Sequence, residues 1–166
     1  MAIEIERKFL IKPGAWTPRD AGTHIQQGYL SAQNGPTVRV RIECSEAGSS
    51  DPACAMATLT VKGPTTGLSR SEFEYPLPLA DARHMLDQLC RSSIIDKHRY
   101  RERYGRHTWE IDVFHGDNEG LVVAEVELES EDDVLEFPGW VGQEVSSDAR
   151  YYNSNLLRNP FKHWSR

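Results

Sequence analysis

Seven stretches of this chain alternate charged and apolar residues with a period of two, and that pattern limits what it can fold into. Successive side chains of a strand point to opposite faces, so each stretch reads as a strand with one charged and one apolar face. Glu4, Glu6 and Lys8 share a face against Ile3, Ile5 and Phe9. Arg39 and Arg41 oppose Val38, Val40 and Ile42, and Thr58, Thr60 and Lys62 oppose Leu59 and Val61. Glu72 and Glu74 oppose Phe73 and Tyr75, while Lys97, Arg99 and Arg101 oppose His98 and Tyr100. Glu110 and Asp112 oppose Trp109, Ile111 and Val113, and Glu125, Glu127 and Glu129 oppose Val126 and Leu128.

With one further segment, the spacing predicts strands over 2–11, 24–32, 37–44, 56–63, 70–77, 94–104, 107–114 and 121–130. Helices are few. Leu79, Ala82, Leu86 and Leu89 give residues 79–90 one apolar face. Ser130 with Asp133 has the spacing of a capping box, and Asp148 is placed to cap a last helix in which Tyr152 and Leu156 share a face. The segment 43–52 is small, polar and contains Gly48 and Pro52, so it reads as a mobile surface loop between two strands. The expected fold is mainly β (α+β): an eight-stranded antiparallel barrel with a few peripheral helices, formed by residues 1–166 as a single domain. Closure removes the exposed strand edges that so many strands would otherwise leave.

A charged strand face is ordinarily a solvated one. Here, however, like charges recur two apart on one strand after another, and like charges side by side on a sheet face repel. A polyvalent ligand with bound cations would explain them. The charged faces named above hold seven cations and nine carboxylates, so the site would repel a bare polyanion and accept one that arrives with a divalent cation. Carboxylate oxygens suit Mg2+ or Mn2+, and Arg and Lys clusters suit phosphate oxygens. The charged faces therefore line a polar interior, and the apolar faces pack outward beneath helices and large side chains.

The bulk properties narrow the classes further. The net charge of −6 argues against generic nucleic-acid binding. No apolar run is long enough to span a bilayer, and the acidic start, Met1-Ala2-Ile3-Glu4, is unlike a secretion signal, so a cytoplasmic location is expected. Cys44, Cys54 and Cys90 lack the spacing of a disulfide framework or a zinc site. The six histidines show no ligand spacing and are expected mostly at the surface.

In order along the chain, Glu4-Ile5-Glu6-Arg7-Lys8, Gln27-Gly28-Tyr29-Leu30, Arg39-Val40-Arg41, Thr60-Val61-Lys62-Gly63, Glu72-Phe73-Glu74, Lys97-His98-Arg99, Glu110-Ile111-Asp112 and Glu125-Val126-Glu127 resemble the motifs of the CYTH superfamily, the triphosphate tunnel metalloenzymes. The tail from Ser147-Asp148 through Tyr152-Asn153-Ser154-Asn155-Leu156 is similar as well. The resemblance implies an eight-stranded tunnel that holds a triphosphate lengthwise. It also implies metal-dependent hydrolysis, with inorganic tripolyphosphate as the first expectation. Carried over, Glu4, Glu6, Asp112, Glu125 and Glu127 would hold the metal ions, and Lys8, Arg39, Arg41, Lys62, Lys97 and Arg99 would grip the phosphates. Arg39, Arg41 and Arg99 would neutralise the charge that develops in the reaction. Lys97 is the first candidate for general base and Tyr29 the second. Glu72 and Glu74 would orient the lysines, and Glu110 and Glu129 would lie solvated at the tunnel ends. The 44–55 insertion departs from the family pattern and leaves substrate preference open.

The resemblance leaves two other functions on the same fold: a class IV adenylyl cyclase, for which Trp16, Trp140, Trp164 or the inserted loop could stack on a base, and a thiamine triphosphatase, which would want an aromatic near one mouth. A non-catalytic polyphosphate-binding domain is the reading from a different class. The expected partner is a small-molecule triphosphate, with neither nucleic acid nor membrane; self-association as a homodimer is left open.

Overall fold

The computed structural model describes residues 2–31, 35–45, 55–90 and 94–165. The 43–52 loop expected from the sequence lies largely outside them, as does Cys54. The strands are β1 (Ala2–Ile11), β2 (Thr23–Ser31), β3 (Thr37–Ser45), β4 (Ala55–Lys62), β5 (Ser69–Leu77), β6 (Ile95–Tyr104), β7 (His107–Phe114), β8 (Val122–Glu127) and β9 (Val141–Glu144). All pairings are antiparallel. The order β5-β4-β3-β2-β6-β7-β8-β1 closes on itself through β1 and β5, giving the eight-stranded barrel. β9 is added outside this ring, pairing with the end of β1 at Phe9 and Ile11.

Chain order and ring order part company once. After β5 the chain leaves the barrel as helix α1 (Leu79–Gln88), which packs across β3 and β4, and it re-enters as β6 beside β2. The reason is local: Ala82 and Leu86 bury against Val40 and Ala57, whose side chains point outward because Arg39, Arg41 and Thr58 point in. A second outward core forms on β1, β7 and β8. There Phe9, Trp109, Ile111 and Val126 are covered by Leu135, Trp140 and Val141, with Trp109 edge-on to Trp140 at 5.4 Å. This face is therefore covered by an irregular segment and β9, where helices were expected. The two-residue turn between β6 and β7 needs Gly105, whose φ is 58°.

The inward faces of β1, β6, β7 and β8 are charged along most of the barrel and apolar at one end of it. Leu10, Ile95, Phe114 and Val123 meet Leu156 and Leu157 in a third core at that end of the barrel. Short helix α2 (Asn153–Leu156) is thereby anchored at the barrel interior.

Two local expectations are corrected. Ser130 and Asp133 do not open a helix; they form a turn in which Asp133 N–H donates to the Ser130 carbonyl. The Asp133 carboxylate is used elsewhere, accepting from Glu129 N–H at 3.3 Å and pairing with His107 and Arg106. Asp148 caps a single 3-10 turn over 149–151, accepting from Arg150 N–H at 3.1 Å, and α2 begins separately after it. β9 was missed because its four residues bury only Val141 fully and so show no alternation. No helix among the described residues is long and apolar enough to cross a membrane.

Candidate active site

The barrel encloses a cavity of about 520 Å³. Of the residues singled out from sequence, Glu4, Glu6, Lys8, Tyr29, Arg39, Arg41, Lys62, Glu72, Glu74, Arg99, Glu125 and Glu127 all line it. Lys97 and Asp112 do not. Both are buried behind the wall, with Lys97 Nζ 2.5 Å from Asp112 Oδ2.

Ring order sorts the charges into two arcs. The strands carrying Lys62 (β4), Arg39 and Arg41 (β3) and Lys97, Arg99 and Arg101 (β6) run consecutively with neutral β2 among them. The strands carrying Glu110 and Asp112 (β7), Glu125 and Glu127 (β8), Glu4 and Glu6 (β1) and Glu72 and Glu74 (β5) complete the circle. Lys8, Arg70 and Glu43 are the exceptions, each paired with the opposite sign.

Where the arcs meet, charges are satisfied. Arg99 lies opposite Asp112 in the β6–β7 register and Arg101 opposite Glu110. Arg99 donates to both Asp112 oxygens at 2.7 Å, to Glu125 at 2.8 Å and to Glu110, while Arg101 donates to Glu110 at 2.9 Å. Glu110 is thus an ion-paired wall residue, where a solvated end position was expected; Glu129 is exposed and outside the cavity lining. At the other seam, Lys62 contacts Glu4 at 2.6 Å and Glu72 at 3.3 Å, and Arg70 contacts Glu4 at 2.6 Å. Burial opposes ionisation of Glu4, yet Lys62 and Arg70 hold its carboxyl below its ordinary value.

At the centre of each arc the balance fails. In the basic arc, Arg39 donates to Thr60 at 2.9 Å and lies 3.5 Å from Glu74, but its buried Nε has no partner among the described residues. Arg41 is bonded to Gln27 and Glu43, each at 3.0 Å; burial, with repulsion from Arg39 and Arg99, still pulls its guanidinium down to about 10. In the acidic arc, the register sets Glu6 opposite Glu127 and Glu110 opposite Glu125. Like charges directly opposite on a sheet are destabilising. Burial, with repulsion from Glu125 and Glu4, pushes the Glu6 carboxyl up to about 7, and Lys8 stands 3.8 Å away. Burial and the charges of Glu4, Glu72 and Glu110 likewise push Glu127 up. Glu125 escapes: burial opposes its charge, but Lys8 at 2.8 Å and Arg99 hold it well below the usual carboxylate range.

Among the described residues no three His, Cys, Asp or Glu side chains already converge as a metal cage. The carboxylates nevertheless fit a hard divalent cation in kind, since Glu4, Glu6, Glu125 and Glu127 offer oxygen donors on one arc. Glu6 and Glu127 are the two whose charge would be relieved by one.

Sequence reading missed several wall residues. Arg70 has the parity of Glu72 and Glu74, and extending that alternation back by one step would have found it. Glu43 continues Arg39 and Arg41 in the same way. Tyr152, Asn153 and Ser154 also line the cavity, and no alternation announces them. The three tryptophans considered for base stacking lie elsewhere. Trp16 donates to Glu102 at 2.7 Å, Trp140 is in the outward core, and Trp164 packs on Tyr151 and Phe161. Among the histidines, His107 is buried against Asp133. His24, His98 and His115 cluster partly exposed, His98 Nδ1 lying 2.8 Å from His115 Nε2.

Residues 2–155 match the family model described as the CYTH domain. The chain is 42% identical over 164 residues to an inorganic triphosphatase of Acetivibrio thermocellus, covering 99% of each chain. It is 34% identical over 159 residues to an inorganic triphosphatase of Nitrosomonas europaea, covering 92% of this chain and 95% of that one. Among solved structures, an inorganic triphosphatase superposes with a TM-score of 0.62 at 29% identity, over 95% of both chains.

Proposed function

This chain belongs to the CYTH domain family, and on that premise we propose that it hydrolyses inorganic tripolyphosphate to pyrophosphate and phosphate within the barrel. The observation that carries this reading is the pair of facing arcs, each under-compensated at its centre and opposite in sign. A phosphate chain lies against Arg39, Arg41 and Lys62, where Arg39 Nε lacks a partner. Glu4, Glu6, Glu125 and Glu127 would hold a divalent cation, Mg2+ or Mn2+, on the other side. When bound, that cation neutralises phosphate charge and lowers the pKa of a water.

The remaining work is positioning and electrostatics, as phosphoryl transfer requires. Arg39, Arg41 and Arg99 present guanidinium groups to the charge that builds on the phosphoryl oxygens. Lys8 and Lys62 fix the chain lengthwise, and Glu72 and Glu74 steady Lys62 and Arg39. Of the two base candidates Tyr29 lines the cavity and Lys97 does not, which supports Tyr29 as the general base. Lys97, which burial draws down to about 8 against the pull of Asp112, supports the site from behind the wall.

Inorganic substrate is favoured over a nucleotide or thiamine derivative because none of Trp16, Trp140 and Trp164 lines the cavity. The chain acts in the cytoplasm as one tunnel domain. A homodimer, if formed, would use the outward face on which Ile3, Phe73 and Tyr75 are exposed.

The deciding experiment measures phosphate release from tripolyphosphate with Mg2+ and with Mn2+, for the native chain, Glu127→Gln and Arg41→Ala. Each variant should lose at least about a hundredfold in rate, the loss that follows removal of a transition-state charge partner. Near-native rates in both would sink the assignment. Cyclic AMP from ATP would move the chain to the cyclase branch, and tight polyphosphate binding without turnover to a binding domain.

A further inference from the structure

The Tyr152-Asn153 step of the tail motif has no part in the reaction as outlined, yet both residues line the cavity. Asn153 opens α2 and touches Lys97, which has no exposed surface and does not itself reach the cavity. The Lys97 ammonium donates to Asp112 Oδ2 at 2.5 Å and to Asn153 Oδ1 at 3.3 Å, and it lies 5.4 Å from the Phe114 ring centre. An ammonium can only donate, so the atom that Asn153 turns toward it must be the carbonyl oxygen. That settles which way the amide points. Its other half, the Nδ2 amino group with two N–H donors, has no acceptor among the described residues. A wall residue whose oxygen is committed to the group behind it keeps its donors for whatever occupies the cavity.

We propose that Asn153 is a further substrate-positioning residue, with Oδ1 holding Lys97 and Nδ2 donating to a phosphoryl oxygen. The inference rests on the triphosphatase reading and adds a contact to it. It gives α2 a purpose: Leu156 and Leu157 anchor the turn in the inner core, and Asn153 projects from that anchor to the wall. It also links two lysines to the tail, because the Tyr152 ring lies 5.8 Å from Lys8 Nζ.

A merely structural tether and a bridging amide respond differently to substitution. Asn153→Asp keeps an acceptor for Lys97 but replaces the donors with a negative oxygen facing phosphate. Asn153→Ala removes both functions. A tether predicts that Asp restores what Ala loses. A bridge predicts the reverse order, with KM for tripolyphosphate raised by about tenfold or more in Asn153→Asp and by less in Asn153→Ala, each tenfold being about 1.4 kcal/mol of binding.

The second readout is a melting shift in place of a rate: with tripolyphosphate and Mg2+ kept in excess over what is hydrolysed, the rise in melting temperature they give the native chain should be smaller in Asn153→Ala and smallest in Asn153→Asp. Native-like KM and melting shift in Asn153→Asp would overturn the proposal. If Asn153→Asp does not fold by circular dichroism, Asn153→Leu takes its place and must itself raise KM at least threefold; an unchanged KM there overturns the proposal equally. A native chain that releases no phosphate from tripolyphosphate would instead refute the triphosphatase reading.

Discussion

Replacing Glu6 by Gln should make the metal-free protein more stable while destroying its activity. Burial and the neighbouring carboxylates hold the Glu6 carboxyl at about 7 against an ordinary 4.5. The sign follows from proton counting. Between these values the unfolded chain has released the proton and the fold retains it, so stability falls as pH rises through the window and the full cost applies above about pH 8. At about 1.4 kcal/mol per pKa unit, holding the group ionised in the fold costs roughly 3 kcal/mol. A quarter of the side chain still meets water, which reduces the cost to about 2 kcal/mol after screening. For a chain of this length, Glu6→Gln should then raise the melting temperature at pH 8 by about 4–8 °C in the presence of a chelator. At pH 5, where the native Glu6 is itself mostly protonated, the two proteins should melt nearly together. Added Mg2+ should stabilise the native chain more than the variant, and tripolyphosphate hydrolysis by the variant should fall about a hundredfold or more. A variant that melts at or below the native temperature at pH 8 without metal would refute the claim that Glu6 carries uncompensated charge.

Asp112→Ala should be severe for the opposite reason, since it leaves Lys97 and Arg99 buried without their shared carboxylate. A loss of about 3–5 kcal/mol by urea unfolding is expected, and a loss below about 1 kcal/mol would mean the pair is not buried as described. Trp109→Ala, at a position with no exposed surface packed on Phe9 and Trp140, should cost about 3–5 kcal/mol with little change in KM for the molecules that remain folded. A KM change above about threefold would show that the outward core and the tunnel wall are coupled.

The sequence revealed faces, and the fold supplied their neighbours. Each strand's alternation was readable because Glu4-x-Glu6 or Arg39-x-Arg41 is local information. The strand bounds agree to within a residue or two except at β8, which ends at Glu127. Ring order is not local. Nothing in the residues of β2 and β6 announces that they pair across the excursion through β3, β4, β5 and α1, yet that pairing gathers the basic strands on one side. Without it, the like charges within a strand look merely repulsive and can be assigned only a generic polyvalent ligand. With it, charges at the arc boundaries neutralise one another, so Asp112 and Glu110 are absorbed by Arg99 and Arg101. Among the described residues, Arg39 on one side keeps an unpartnered Nε and Arg41 is still pulled down by burial and its cationic neighbours, while Glu6 and Glu127 on the other are pushed up by burial and their carboxylate neighbours. Lys97 and Asp112 show the same limit from within: their parity is that of wall residues, but the inward faces turn apolar at Ile95 and Phe114, and the pair is sealed behind the cavity. The residues most in need of a ligand are therefore fixed by the position of a strand in the ring as much as by the charge it carries. A triphosphate bound with its cation is the ligand whose two signs match both deficits at once.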